Sequence, residues 1–113
     1  MWSLPSSVKI YLCKEPTDMR KSFDALAAMA EYVLMQNPLS GHIFIFRNKR
    51  GNMLKCLYWD NDGYALWYKR LEKGTYSIPQ TAEDFSIDSR NLAIMLEGLK
   101  PHKTALNTRF KLK

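Results

Sequence analysis

The chain has 113 residues, of which 46% are hydrophobic, and a formal net charge of +6 at pH 7. This length accommodates one domain with a single core and excludes a second core. No stretch approaches the roughly 20 apolar residues of a membrane span, and the N-terminus lacks the basic start and apolar run of a secretory signal, so we expect a cytoplasmic protein that does not contact membranes.

A strand and a long helix are the first predicted elements. Val8–Cys13 alternates apolar with polar side chains, which is typical of a strand. Apolar residues then recur at helical spacing between positions 19 and 34, behind an N-cap at Thr17 or Asp18. We therefore predict a long N-terminal helix that ends before Pro38, because proline disfavours helical backbone in the residue preceding it.

The segment from residue 42 to residue 79 has the pattern of an antiparallel meander. Three apolar runs are separated by the polar breaks Asn48–Asn52 and Asp60–Gly63, and a third break at Glu72–Gly74 leads to a short fourth run. Asn and Asp tolerate left-handed backbone and Gly adopts it freely, so these breaks are typical of tight turns between strands.

One short helix and a tail are predicted for the C-terminal part. Residues 88–97 carry apolar side chains at helical spacing, whereas residues 100–113 have too few large apolar side chains to anchor themselves. The predicted fold class is α+β, an antiparallel β-meander of about five strands with a long N-terminal helix and a short C-terminal helix packed on it. We expect residues 1–99 to form a single domain and residues 100–113 to be a basic, mobile tail.

Positive charge is concentrated in the predicted sheet and in the tail. Residues 47–73 carry seven basic and three acidic side chains, and residues 100–113 carry five basic side chains without an acidic one. Clustered cations on an otherwise balanced protein indicate an anionic partner, most commonly nucleic acid. The alternative is that these charges only keep the protein dispersed.

The candidate nucleic-acid contacts are basic side chains in the predicted sheet and at the start of the predicted helix. The turn Asn48–Asn52 is either a solvated loop or a finger on phosphate, where Lys and Arg supply salt-dependent attraction. The predicted contacts are Arg47, Lys49, Arg50, Lys69, Arg70, Arg20 and Lys21. Strand neighbours lie about 5 Å apart, so Arg47, Lys55 and Lys69 would line up across adjacent strands if the register allows it.

Two further groups of residues leave alternatives open. Aromatic side chains on the predicted strands are either stacking platforms for bases or core residues. This group comprises Tyr58, Trp59, Tyr64, Trp67, Tyr68 and Tyr76. Asp18, Arg20 and Asp24 belong either to the basic contact or to a structural brace between the helix start and the sheet.

The sequence offers no convergent catalytic groups, so we expect a protein that is not an enzyme. His42 opens a predicted strand and is interpreted as a strand-edge hydrogen bonder, while His102 lies in the tail. Asp60 and Asp62 could hold a metal ion together with Glu72, as in a small nuclease. Their positions beside a glycine instead favour a turn, in which such side chains bond to their own backbone.

Cys13 and Cys56 are expected to be buried thiols. Both lie in apolar runs, and neither belongs to a Cys-x-x-Cys or Cys/His pattern of the kind that binds metal. We therefore expect no disulfide, no metal ion and no cofactor.

Several blocks of residues, in order along the chain, form a specific signature. They are T-D-M-R-K-S-F-D at residues 17–24, S-G-H-I-F-I-F-R-N-K-R-G-N at 40–52, Y-W-D-N-D-G at 58–63 and K-R-L-E-K-G at 69–74. This signature resembles the small accessory protein encoded by the second reading frame of bacterial insertion sequence 66 family elements, called TnpB in that family.

The resemblance covers about residues 4–99, and two positions depart from the usual pattern. Ser22 stands where the family usually has Gly, and Ile78 where it usually has Trp. The resemblance implies a protein that assists transposition beside a separate transposase carrying the catalytic acidic residues. The implied partner is that transposase. Combined with the charge distribution, this leads to the hypothesis that the chain binds element DNA, the transposase or both through the basic surface of the predicted sheet. The alternative is a pure protein–protein adaptor for the transposase without direct DNA contact.

Overall fold

A computed structural model of the chain describes residues 7–77 and 86–87. The described elements are β1 (Ile10–Leu12), α1 (Phe23–Tyr32), β2 (Ile43–Arg47), β3 (Met53–Asp60), β4 (Gly63–Arg70) and β5 (Ser86–Ile87). The strands form one sheet in the order β4-β3-β2-β1-β5, in which β5 contributes only two residues.

The sheet is mixed, so the predicted antiparallel meander is wrong. Strand β1 runs parallel to β2, with Ile10 opposite Ile43, whereas β2, β3 and β4 are joined by antiparallel hairpins. The connection from residue 13 to residue 42 contains α1 and returns the chain to the end of the sheet at which β1 begins, so that β2 starts beside it. Parallel pairing requires a crossover of this kind, and the sequence prediction treated the same strand–helix–strand order as part of an antiparallel sheet.

The predicted long N-terminal helix is also wrong, because α1 has only ten residues and begins at Phe23. The carbonyl oxygens of Met19 and Lys21 accept hydrogen bonds from Lys55 Nζ, each at 2.8 Å. Carbonyls turned towards a lysine of the sheet are not aligned to accept the amides four residues on. The first helical bond instead runs from the Leu26 amide to the Ser22 carbonyl, at 2.9 Å.

The end of α1 comes earlier than the proline signal indicated. Met35 adopts a left-handed backbone conformation with φ of 57°, which reverses the chain direction. The Gln36 amide donates to the Ala30 carbonyl across this reversal at 3.0 Å. Leu34 lies beyond the end of α1 but is buried. It therefore packs in the core without being part of the helix.

Each face of the sheet is covered by its own apolar cluster. The helix-side face, defined by Phe44, Phe46 and Leu57, packs against Leu26 and Ala30 of α1. The opposite face holds a second cluster, which includes Ile43, Ile45, Leu54, Cys56, Leu71 and Tyr76. Successive residues of a strand point to opposite faces, so the register decides which face each basic residue reaches.

The two cysteines are buried free thiols, as predicted. Burial raises the pKa of the Cys56 thiol far above its usual range, and it raises the pKa of the Cys13 thiol as well. The predicted helix at residues 88–97 and the predicted basic tail at 100–113 lie outside the described residues. Within the part of the chain that is described, no helix has the length and apolarity needed to cross a membrane.

Candidate nucleic-acid interface

One end of the sheet collects the basic residues predicted from the sequence. Here β2 turns into β3 through residues 48–52, and β4 ends beside that turn because Arg70 lies opposite Met53. The segment formed by residues 16–21 crosses the same end, where the Thr17 amide donates to the Arg47 carbonyl at 2.8 Å. We call residues 16–21, 48–53 and 69–70 together the basic end.

The turn at the basic end is held rigid by its own asparagines. The Asn48 side chain accepts from the Met53 amide at 2.9 Å and donates to the Asn52 side chain at 2.8 Å. Gly51 has a φ of 81°, which a residue with a Cβ rarely adopts, and its amide donates to the Asn48 carbonyl at 3.0 Å. Lys49 and Arg50 are therefore presented from a fixed backbone.

Lys49 and Arg50 are exposed, and no carboxylate among residues 7–77 forms an ion pair with either of them. Their charges are thus available to an outside anion. Two other basic residues of this end are partly neutralised by neighbours in sequence. Arg20 pairs with Asp18 at 2.6 Å, and Arg70 pairs with Glu72 at 3.0 Å.

The Asp18–Arg20 pair is local and solvent-exposed. The Arg20 side chain is 92% exposed and, with the Arg20 amide, donates to the Asp18 carboxylate, which lowers the pKa of Asp18 to about 2. Among the described residues, no side-chain hydrogen bond or ion pair joins this pair to the sheet or to Asp24. The brace between the helix start and the sheet is provided instead by Lys55.

Lys55 does not join the row of cations that the sequence suggested. It faces the helix side, where it is only 6% exposed and where its Nζ lies 4.6 Å from the centre of the Tyr68 ring. Arg47 and Lys69 lie on the opposite face, in register with buried Leu54 between them. The register therefore does not allow Arg47, Lys55 and Lys69 to line up, because Lys55 lies on the other face of the sheet from Arg47 and Lys69.

The register also separates neighbouring members of the predicted contact set. Arg70 shares the helix side with Tyr68 and Met53, whereas Lys69 faces the other way. The Arg47 guanidinium donates to the Tyr76 carbonyl at 2.8 Å, and partial burial lowers its pKa. Arg47 thus braces the segment after β4, and the helix side of the basic end retains Arg20, Lys21, Lys49, Arg50 and Arg70.

An open groove of about 710 Å³ lies between the turn and the crossing segment. Its lining comprises Pro16, Thr17, Asp18, Met19, Asn48, Lys49, Arg50 and Met53. The side chains of Asn48 and Asp18 are already hydrogen-bonded within the basic end, and the Thr17 hydroxyl donates to the Glu15 carbonyl at 3.5 Å. The groove therefore combines the apolar residues Pro16, Met19 and Met53 with the cations Lys49 and Arg50.

Tyr68 is the most exposed of the six aromatic residues in the predicted stacking group, with 50% of its surface accessible. Its hydroxyl donates to Met53 Sδ at 3.4 Å, which places the ring beside the groove. Trp59 and Tyr64 instead pack edge to face at 5.1 Å near the other end of the sheet, and Tyr76 is buried. Sequence patterning could not single out Tyr68, because exposure depends on how α1 covers the sheet.

The other end of β3 is acidic and forms a tight turn, as predicted. We call Asp60–Gly63 the acidic end; there Asn61 has a φ of 63° and the Asp62 amide donates to the Asp60 carbonyl at 2.6 Å. The eight residues of β4, at ~3.3 Å per residue, place Glu72 about 25 Å from these two aspartates. The three carboxylates cannot share a metal ion, and no group of three potential metal ligands occurs among the described residues.

Tyr64 lies next to the acidic end, at the start of β4. Burial raises the pKa of the Tyr64 hydroxyl, and the carboxylates of Asp24 and Glu31 raise it further.

His42 accepts a hydrogen bond from the Lys9 amide through Nδ1 at 3.0 Å, so the prediction of a strand-edge hydrogen bonder is confirmed.

Comparison with known proteins finds one matching family model and two related proteins. The family model described as IS66 Orf2 like protein matches residues 8–105. The chain is 35% identical over 99 residues to an uncharacterized protein, y4hO, from Sinorhizobium fredii (strain NBRC 101917 / NGR234), covering 85% of this chain and 86% of that one. A second uncharacterized protein of the same organism, y4jC, is 31% identical over 93 residues, covering 81% of this chain and 80% of that one. No solved structure matches the chain significantly.

Proposed function

Since the chain belongs to the family of IS66 Orf2-like proteins, which confirms the resemblance found in the sequence, we propose that it assists transposition by contacting DNA directly through its basic end. The family implies an accessory role in transposition. The direct contact with DNA, the residues that make it and the association with the transposase of the same element are our proposal.

The observation that carries this proposal is the pair of exposed cations on the rigid turn. Lys49 and Arg50 have no carboxylate partner among residues 7–77, and the Asn48 hydrogen bonds fix the backbone that presents them. Because the backbone of the turn is already ordered, contact with phosphate costs only the side-chain freedom of these two residues, so more of the electrostatic attraction remains as affinity. Solubility alone would not require an ordered turn.

Three further basic residues extend the proposed contact over the helix side of the basic end. Lys21 and Arg20 lie on the segment that Lys55 holds against the sheet, and Arg70 lies opposite Met53 at the end of β4. Arg20 and Arg70 can exchange their exposed carboxylate partners for phosphate at small cost, because exposed ion pairs contribute little to stability. Lys69 and Arg47 are left out of the contact because they face the other side.

A second candidate function is a protein–protein adaptor, and it rests on a different surface. Tyr32, Met35 and Leu39 follow one another around the end of α1 and are 73%, 76% and 52% exposed. Exposed apolar side chains in such proximity along the chain are typical of a protein contact. This surface is our candidate for association with the transposase, and it is compatible with DNA bound at the basic end.

A gel-shift titration across a salt series tests the DNA contact. The variant Lys49→Gln/Arg50→Gln should bind DNA at least about tenfold more weakly, with the salt slope smaller by about 0.9 per lost phosphate contact. Lys9→Gln is the matched control, since it removes an exposed cation before β1 and should leave the affinity within about twofold. Wild-type binding that is absent at low salt, or insensitive to salt, would contradict the proposal.

Transposase capture separates the two candidate functions. A tagged Lys49→Gln/Arg50→Gln protein should still retain the transposase, while Tyr32→Ser/Met35→Ser should lose it and keep its affinity for DNA. If Lys49→Gln/Arg50→Gln loses the transposase and the wild-type protein does not bind DNA, the adaptor function replaces the DNA contact.

A further inference from the structure

We infer that the basic end accepts a single DNA strand rather than a duplex, with one base lying against Tyr68 and the methionine-lined groove, and adjoining phosphates on Lys49 and Arg50. This inference rests on the proposed function and specifies its substrate. It draws on two features that contact with phosphates alone does not use, the fixed aromatic ring and the apolar residues of the groove.

The ring of Tyr68 is held in place before any ligand arrives. The Lys55 ammonium lies 4.6 Å from the ring centre, and the hydroxyl donates to Met53 Sδ at 3.4 Å. Lys55 is itself fixed by the carbonyls of Met19 and Lys21, each at 2.8 Å. Half of the Tyr68 surface nevertheless remains exposed. An ordered, half-exposed ring among cations is the arrangement that stacks bases in proteins that bind single strands.

The groove beside Tyr68 offers apolar surface but few free polar groups. Asn48 and Asp18 bond within the basic end, so they are not available to read the edge of a base. Pro16, Met19 and Met53 are the apolar residues of its lining, and thioether side chains adapt to flat rings of different shape. The site thus fits any base, held by its face rather than by its hydrogen-bonding edge.

A duplex cannot use this surface in the same way. Its bases are stacked on one another, so their faces are not available to Tyr68 or to the methionines, and only its phosphates would reach Lys49 and Arg50. A single strand presents phosphates and base faces together, which matches a groove lined by both cationic and apolar residues. An acidic peptide with an apolar anchor would satisfy the cationic and apolar residues but would leave the fixed ring without a stacking partner.

Three DNA probes of equal length test the inference: a thymidine 12-mer, a 12-mer of abasic nucleotides, and a 12-base-pair duplex. The abasic strand carries the same phosphates without bases, so it separates stacking from charge. We expect the thymidine 12-mer to bind at least about fivefold more tightly than the abasic strand, which is the low end of stacking energies per base. The duplex should bind more weakly than the thymidine 12-mer, because only its phosphates reach the site.

Substitutions at Tyr68 locate the effect. Tyr68→Leu should bring the affinity for the thymidine 12-mer down to that for the abasic strand, whereas Tyr68→Phe should retain it within about twofold because the ring remains. Tyr32→Leu is the matched control, since Tyr32 is 73% exposed on α1 away from the groove, and it should change nothing. Far-ultraviolet circular dichroism of each variant checks that the fold is retained.

The outcomes distinguish this inference from the proposed function. Equal affinity for all three probes, preference for the duplex, or a Tyr68→Leu variant that still favours thymidine over abasic strand overturns the single-strand inference while leaving the DNA contact intact. Failure of all three probes to bind overturns both. A peptide of alternating Glu and Leu residues serves as a competitor. If it displaces the 12-mer equally well from wild-type protein and from Tyr68→Leu, the groove is assigned to a protein segment instead.

Discussion

Each end of β3 adjoins a turn with one residue in left-handed backbone, and the two turns carry opposite charge. At the acidic end the turn holds Asp60 and Asp62, with Asn61 in left-handed backbone. At the basic end the turn holds Lys49 and Arg50, with Gly51 in left-handed backbone. Turn geometry constrains Asn and Gly but leaves the charge of the other positions open. The difference in charge is therefore not required by the fold, and it is what function could have selected.

Two lysines of the hairpin formed by β2 and β3 differ in their exposure and in their partners. Lys49 is exposed and meets no carboxylate among residues 7–77, whereas Lys55 is 6% exposed and donates to two backbone carbonyls. Equal charge in the sequence thus corresponds to two different tasks, one outward and one inward. Lys55 holds the segment that completes the basic end, and the acidic end has no comparable anchor among the described residues.

Removing the inward lysine should produce the largest effect. Lys55→Met keeps the side-chain volume but leaves the carbonyls of Met19 and Lys21 without their donor, so we expect a loss of about 2–4 kcal/mol in the free energy of unfolding. Urea denaturation measures it. Lys49→Met is the matched control and should stay within about 0.5 kcal/mol of wild type. Equal stability of the two variants would show that Lys55 is not an anchor.

The glycines of the two turns should respond differently to the same substitution. Gly51→Ala must place a Cβ at 3.4 Å from Thr75 Cβ while φ is 81°, so we expect destabilisation of about 1–2 kcal/mol. Gly63→Ala at the acidic end meets nothing within 4 Å and should stay within about 1 kcal/mol of wild type. Thermal and urea unfolding of the pair test whether the basic turn is the more constrained one.

Adjacent cations on opposite faces sharpen the comparison within the basic end. Arg70→Gln should weaken DNA binding about threefold and lower the salt slope by about 1, because Arg70 lies on the helix side with the proposed contact. Lys69→Gln removes the same charge from the other face and should leave both quantities nearly unchanged. Equal effects of the two substitutions would mean that DNA responds to net charge rather than to this face.

The smallest effect concerns the exposed pair of Asp18 and Arg20. The pKa of Asp18 is lowered from 3.8 to about 2, chiefly by the hydrogen bond from Arg20. The pair therefore stabilises the fold above the unfolded pKa, and this contribution is lost as the pH falls from about 4 towards 2. Carboxyl titration by NMR should show the low pKa of Asp18 in wild type and a higher pKa in Arg20→Gln, still below 3.8 because the backbone amide of residue 20 keeps its hydrogen bond to Asp18. An unchanged value in the variant would assign the shift to another cause.

The sequence predicted features that depend on neighbouring residues and failed on those that depend on distant ones. The turns at residues 48–52 and 60–63 followed from Asn, Asp and Gly chemistry. The helix start did not, since Lys55 takes the carbonyls of Met19 and Lys21 from more than thirty positions away in the chain. The faces of Arg47, Lys69 and Arg70 likewise required the strand register, which no local pattern contains.

The central claim is that DNA meets the basic end of β3 and not the acidic end. Backbone amide signals of isotopically labelled protein, followed by NMR as DNA is added, test it residue by residue, with single-stranded and duplex DNA in separate samples. We expect the signals of residues 17–21 and 48–53 to shift and to saturate as DNA is added, while those of residues 60–63 stay in place. Shifts centred on residues 60–63, or no shifts anywhere in residues 7–77, would contradict it.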